Sequence, residues 1–170
     1  MDGKQEQVAT GEAVRYSPAS RREQQVKRFH ERYGCPEPAA IGPRLQRPLT
    51  SEDHLLESAS DTLDALSVQL AASFGETRDY RLLRAKLQLS ETSELLAALA
   101  AKDEAALADA LADVEYVTVG TAVAYAVPLG DVFDAVHESN MTKSTVESAV
   151  ANHSGDRGKG PRYVPPDVEG

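Results

Sequence analysis

Four of the acidic residues between Leu87 and Lys143, namely Glu91, Glu94, Asp109 and Asp113, break the apolar helical pattern of that stretch, and their spacing is suited to binding a metal ion. Glu91 and Glu94 are three residues apart, about 60° round a helix, so they project from neighbouring turns of a face that also carries Leu87, Leu95 and Ala98. Asp109 and Asp113 lie four apart in the next segment, and Asp113 shares its stripe with Ala106, Ala110, Val117 and Gly120. This pattern predicts that all four point inward. An unpaired buried charge costs several kcal/mol or takes up a proton, so a cation is expected among them. Hard oxygen donors in this number suit Mg2+ or Mn2+, completed by water and phosphate oxygens. Solvated acids on ordinary amphipathic helices remain the alternative, because Asp and Glu favour the surface.

Three motifs occur in order: Glu91-x-x-Glu94, then Asp109-Ala-Leu-Ala-Asp113 running on to Gly120, then Val136-His-Glu-Ser-Asn140-Met-Thr-Lys143. Together they resemble the MazG-like all-α nucleoside triphosphate pyrophosphohydrolases, a superfamily that includes the phosphoribosyl-ATP pyrophosphohydrolases, and in particular its compact bacterial and phage-type members. The resemblance spans about residues 78 to 145. It implies metal-dependent hydrolysis of a nucleoside triphosphate to the monophosphate and pyrophosphate. Glu91, Glu94, Asp109 and Asp113 would be metal ligands, Glu91 or Glu94 would activate water, and Asn140 and Lys143 would contact substrate. It further implies a homodimer or homotetramer and leans towards a deoxynucleotide substrate. One position departs from the pattern: the second acidic pair normally has a Glu three residues before the Asp, and here that position is Ala110. Either Asp109, about 100° away on a helix, replaces it, or the site has one carboxylate fewer. The departure keeps two rivals open: a bundle that binds without catalysing, and a pyrophosphohydrolase for phosphoribosyl-ATP or an alarmone.

Helices must position these residues, and the composition suits them. The 170-residue chain is 41% hydrophobic with 5% aromatics and no Trp, and Ala and Leu crowd its middle, which favours close helix packing. The fold expected is all-α, an antiparallel bundle of four to five helices over residues 19–145, with a flexible leader (1–18) and tail (146–170). Helices are predicted at 21–33, 51–74, 77–101, 104–127 and 129–139. Gly34, Gly75 and Pro128 serve as stops and Thr50-Ser-Glu-Asp53 as a capping box. Residues 35–49 hold four of the nine prolines and read as a loop. Helix 51–74 is either an insertion relative to the compact relatives or one more core helix.

Arg84, seven residues before Glu91 on the same side, is a candidate for a carboxylate or a phosphate, with a solvated arginine as the alternative. His30 reads as a surface histidine beside Phe29, with an approach to substrate as the alternative. The tail run Lys159-Gly-Pro-Arg-Tyr163 resembles a phage-type motif whose Lys and Tyr close over a nucleotide, against the alternative of a disordered end. The net charge of −9 argues against nucleic-acid binding, which needs a clustered basic surface. The single cysteine, Cys35, forms neither an intramolecular disulfide nor a cysteine zinc site, which fits a reducing cytoplasm. No segment reaches the roughly 18 apolar residues of a membrane span, and no signal peptide opens the chain. Covalent catalysis is not expected, since no phosphate loop or nucleophilic triad can be assembled.

Overall fold

The structure, a computed structural model, describes residues 20–34, 48–143 and 159–168. The expected leader 1–18, most of the proline-rich loop and residues 146–158 of the tail lie outside the described residues. Five helices follow in order: α1 (Arg21–Tyr33), α2 (Ser51–Thr77), α3 (Tyr80–Ala101), α4 (Glu104–Ala124) and α5 (Leu129–Asn140). No strand occurs among the described residues, so the all-α expectation holds.

α2 and α3 form a long antiparallel hairpin. Arg78 in the left-handed region caps α2, and Asp79 starts α3 by accepting from the Arg81 N–H. The α2 helix therefore runs through Gly75, which has open space around it, and ends two residues later; Thr77 closes α2 rather than opening α3. Contacts fix the register along the hairpin: Phe74 meets Tyr80 near the turn, and Ser60 and Ser93 exchange hydrogen bonds at its middle. At the open end Lys102 pairs with Asp53 at 2.8 Å. Small buried residues, Ser60, Ser67, Ser93 and Ala98, let the backbones approach closely. The Asp53 carboxylate also accepts from the Thr50 N–H at 2.6 Å, so the capping box read from sequence is present. The Lys102 bond is the largest of the influences that hold the Asp53 carboxyl below its ordinary value, followed by the Thr50 N–H bond.

α3 turns into α4 through Lys102, again left-handed, and Asp103, whose carboxylate accepts from the Ala105 and Ala106 N–H groups. Arg84 to Thr121 and Val117, and Gln88 to Thr118, make α3 and α4 antiparallel neighbours. α4 stops at Ala124, three residues earlier than Pro128 alone suggests, because Ala126 takes a positive φ of 53° and breaks the helix first. α1 packs on α5 rather than on the hairpin. Gln25 and Arg21 both bond Asp134 at 2.8 Å, Arg22 lies over the Phe133 ring, and the fully buried Tyr33 sends its hydroxyl to the carbonyls of Lys143 (2.8 Å) and Asn140 (3.2 Å).

Six apolar side chains are buried among the described residues, and four of them are alanines. Leu111, Tyr116, Val119 and Val123 of α4 all face outward. No single helix among the described residues is long and apolar enough to cross a membrane.

Candidate functional site

The α3–α4 register brings part of the carboxylate set together. Arg84 opposite Thr121 and Gln88 opposite Thr118 place the turn after Gln88 against the turn before Thr118, which sets Glu91 across from Asp113 and Val114. Glu91 is half-buried, and its carboxyl is pushed above the usual glutamate value, first by burial and then by the negative charges of Glu94 and Asp113. Lys86 opposes this shift as the smallest of its influences. Glu91 thus feels one carboxylate from its own helix and one from the neighbouring helix. Asp113 is half-buried as well, whereas Glu94 is exposed.

The expectation that all four acids face inward is corrected at two positions. Glu94 and Asp109 are exposed, and at the second motif the inward position belongs to Ala110, only 4% exposed. A one-residue step on a helix is a rotation of about 100°. The methyl group of Ala110 therefore occupies the position expected of a carboxylate, and Asp109 looks to solvent.

The donor set is chemically right for a hard divalent cation, because it offers carboxylate oxygens only and leaves Glu91 under-compensated. No group of three or more His, Cys, Asp or Glu among the described residues converges into a ready-made cage. Mg2+ does not need one, since it keeps several waters and takes one or two carboxylates plus substrate phosphates. The residues present fit such an ion.

The other candidates divide between the α3–α4 seam, which holds Arg84, and the end of α5. Arg84 donates from Nε to Thr121 Oγ1 (3.1 Å) and from Nη2 to the Val117 carbonyl (2.7 Å), so two of its donors clamp α3 to α4. Gly120 allows this, because a Cβ there would come within 2.8 Å of Arg84 Nη2. Asn140 ends α5 and Lys143 lies in the turn that follows it, and Tyr33 holds the carbonyls of both from one side. From the other side, residues 159–168 dock on that turn: Val164 gives its N–H to Thr142 Oγ1 (2.8 Å) and its carbonyl accepts from Ser139 Oγ (2.7 Å). Within this segment the Lys159 ammonium lies over the Tyr163 ring, 5.0 Å from its centroid. His30 is exposed beside Phe29.

Sequence reasoning missed Tyr33, Ser139 and Thr142 as residues that hold the α5 end. The signal available was a Tyr at the close of a helix stripe, which reads equally as core. It also missed a groove of about 390 Å³ between α3 and α4, whose lining includes Gln88, three residues before Glu91.

A family model described as phosphoribosyl-ATP pyrophosphohydrolase matches residues 60–140, from the middle of α2 to the end of α5. No curated protein and no solved structure matches the chain at a significant level. The matched region contains both acidic motifs, the α3–α4 turn and Asn140. Over residues 60–140, just under half of its length, the chain is therefore similar to the phosphoribosyl-ATP pyrophosphohydrolases of the MazG-like all-α superfamily.

Proposed function

We propose that this protein is a Mg2+- or Mn2+-dependent pyrophosphohydrolase that cleaves a nucleoside triphosphate, preferably a deoxynucleotide, into monophosphate and pyrophosphate. The observation that carries the reading is the half-buried Glu91, raised in proton affinity by burial and by Glu94 and Asp113. A carboxylate so placed is a better proton acceptor than an exposed one, and it attracts a cation. Glu94 and Asp113 would hold the ion, with Asp109 at its margin. The ion, when bound, supplies charge neutralisation on the phosphate oxygens.

The chain's own residues then have distinct tasks. Glu91 accepts the proton of the water whose oxygen attacks the α-phosphorus, and pyrophosphate departs with the electron pair of the broken P–O bond. Lys143 pairs with phosphate oxygens as a point charge, and Asn140 bonds the sugar or a phosphate. Tyr33 and the docked Val164 segment keep that turn of α5 in place. Lys159 and Tyr163 lie on the same segment and serve as a closing element over the nucleotide. Arg84 supports the site by holding α4 against α3.

A second reading, phosphoribosyl-ATP as substrate, is favoured by the description of the matching family model. Pyrophosphate release from a panel containing deoxynucleoside triphosphates, ribonucleoside triphosphates and phosphoribosyl-ATP decides between them, with Mg2+ and Mn2+ each tested and Glu91→Gln as control. Turnover confined to phosphoribosyl-ATP selects the second reading. No turnover with any compound overturns both and leaves a bundle that only binds.

The working unit we propose is a homodimer or a tetramer. Tyr116, at 79% exposure, and Val123, at 76%, share an outward α4 stripe with Val119. A face of this kind is costly in water unless a second copy covers it.

A further inference from the structure

We infer that the groove between α3 and α4 is the seat of the nucleobase, an inference that rests on the pyrophosphohydrolase reading for the position of the phosphates. Arg84, Ala85 and Gln88 form one wall of the groove, Thr118, Thr121 and Ala122 the other, and Val127 and Leu129 close its end. Its volume, about 390 Å³, falls within the range of small-ligand sites, roughly 300–1,000 Å³. It lies on the same pair of helices as the acids. Gln88 precedes Glu91 by three residues, which is about 4.5 Å along the helix, and Arg84 precedes it by seven, about 10.5 Å. A ligand extended along the α3–α4 seam with phosphates at Glu91 and Asp113 therefore has its other end in this groove.

The chemistry of the walls selects what that end is. The lining is predominantly apolar, so a second charged group would lose most of its hydration there. Two of the five Arg84 N–H donors bond Thr121 and Val117, which fixes the guanidinium plane along the α3–α4 seam. A guanidinium plane beside aliphatic side chains is a stacking surface for a flat heteroaromatic ring. Gln88 and Thr118, already bonded to each other at 3.1 Å, supply a polar rim for the edge of such a ring. A base attached through its sugar to the phosphates meets both demands at once.

Equilibrium binding of α,β-methylene deoxynucleoside triphosphates, compared with inorganic tripolyphosphate in the presence of Mg2+, tests this. Ala85 is exposed on the rim, so Ala85→Leu narrows the groove without disturbing the core, and Val127→Ser removes apolar surface from its end. Both variants should weaken nucleotide binding, Ala85→Leu by on the order of tenfold or more. Tripolyphosphate, which has no base, should bind both within about twofold of wild type. Nucleotide affinity unchanged in both variants, or nucleotide and tripolyphosphate weakened alike, overturns the groove as the base site. The catalytic reading fails separately, if Glu91→Gln turns over as wild type while Ala85→Leu still weakens the nucleotide.

Discussion

Replacing Gly120 with alanine forces a methyl group towards a guanidinium that is not free to retreat. The new Cβ would lie 2.8 Å from Arg84 Nη2, so the group must move by about 0.6 Å to reach an ordinary 3.4 Å contact. That movement strains the 2.7 Å bond to the Val117 carbonyl and the 3.1 Å bond to Thr121 Oγ1. Hydrogen bonds from a charged donor contribute about 1.5–3 kcal/mol each. Losing most of one outweighs the roughly 1 kcal/mol that alanine gains over glycine in a helix interior. Gly120→Ala should therefore destabilise the wild-type protein by about 1–2 kcal/mol. In an Arg84→Met background the obstacle is gone, and the same substitution should stabilise by about 1 kcal/mol. Equilibrium urea unfolding of the four proteins at one fixed concentration reads the resulting coupling, on the order of 2–3 kcal/mol. If Gly120→Ala stabilised both backgrounds equally, the Arg84 clamp would not exist as described.

Metal-free wild-type protein should lose stability as pH rises above 4.5, the ordinary glutamate value. The folded state holds the Glu91 proton over a range where the unfolded chain has released it, so each step up in pH penalises folding until Glu91 is ionised in both states. Thermal melts of Glu91→Gln should lack this decline and sit above wild type near pH 7, while turnover is abolished. Ala110→Glu would put a carboxylate at a buried position, so the apo protein should lose on the order of 3 kcal/mol, recovered in part by Mg2+ or Mn2+; no loss would show that Ala110 can swing to solvent. Asp109→Asn should keep most activity and Asp113→Asn almost none, as measured by pyrophosphate release. Light scattering at micromolar concentration should give a dimer or a tetramer, and a monomer would refute the role given to Tyr116, Val119 and Val123.

Much of this was legible in the sequence because helix periodicity and caps are local. The Thr50–Asp53 capping box and the Lys102–Asp103 turn are written in consecutive residues. Facing was legible only in part. Spacing shows that Glu91 and Glu94 share a side of α3, but which edge is covered depends on where α4 lies against it, and that contact leaves Glu94 outside. Ala110 was visible as a departure, whereas its burial depends on the same helix-to-helix placement. Arg84 reads from sequence as a partner for a carboxylate or a phosphate, or as a solvated arginine, until its partners Thr121 and Val117, more than 30 residues away, are seen. Of the two glycines that read as stops, Gly34 does end α1 in the left-handed region, whereas Gly75 is accommodated within α2 and the break comes at Arg78.

The single hydroxyl of Tyr33 joins the close of the first helix to residues 107 and 110 positions later in the chain. The α2–α3–α4 portion is built from neighbouring segments, but the seating of α1 on α5 joins distant parts of the chain. Such a long-range attachment, small among the described residues beside the α2–α3 hairpin, belongs to the low end of the local-opening free energies. The first helix should therefore detach before the hairpin melts, and amide exchange in residues 21–33 should be faster than in residues 80–101. Each detachment releases the backbone that carries Asn140 and Lys143, so on warming, affinity for phosphate should fade several degrees before the main unfolding transition.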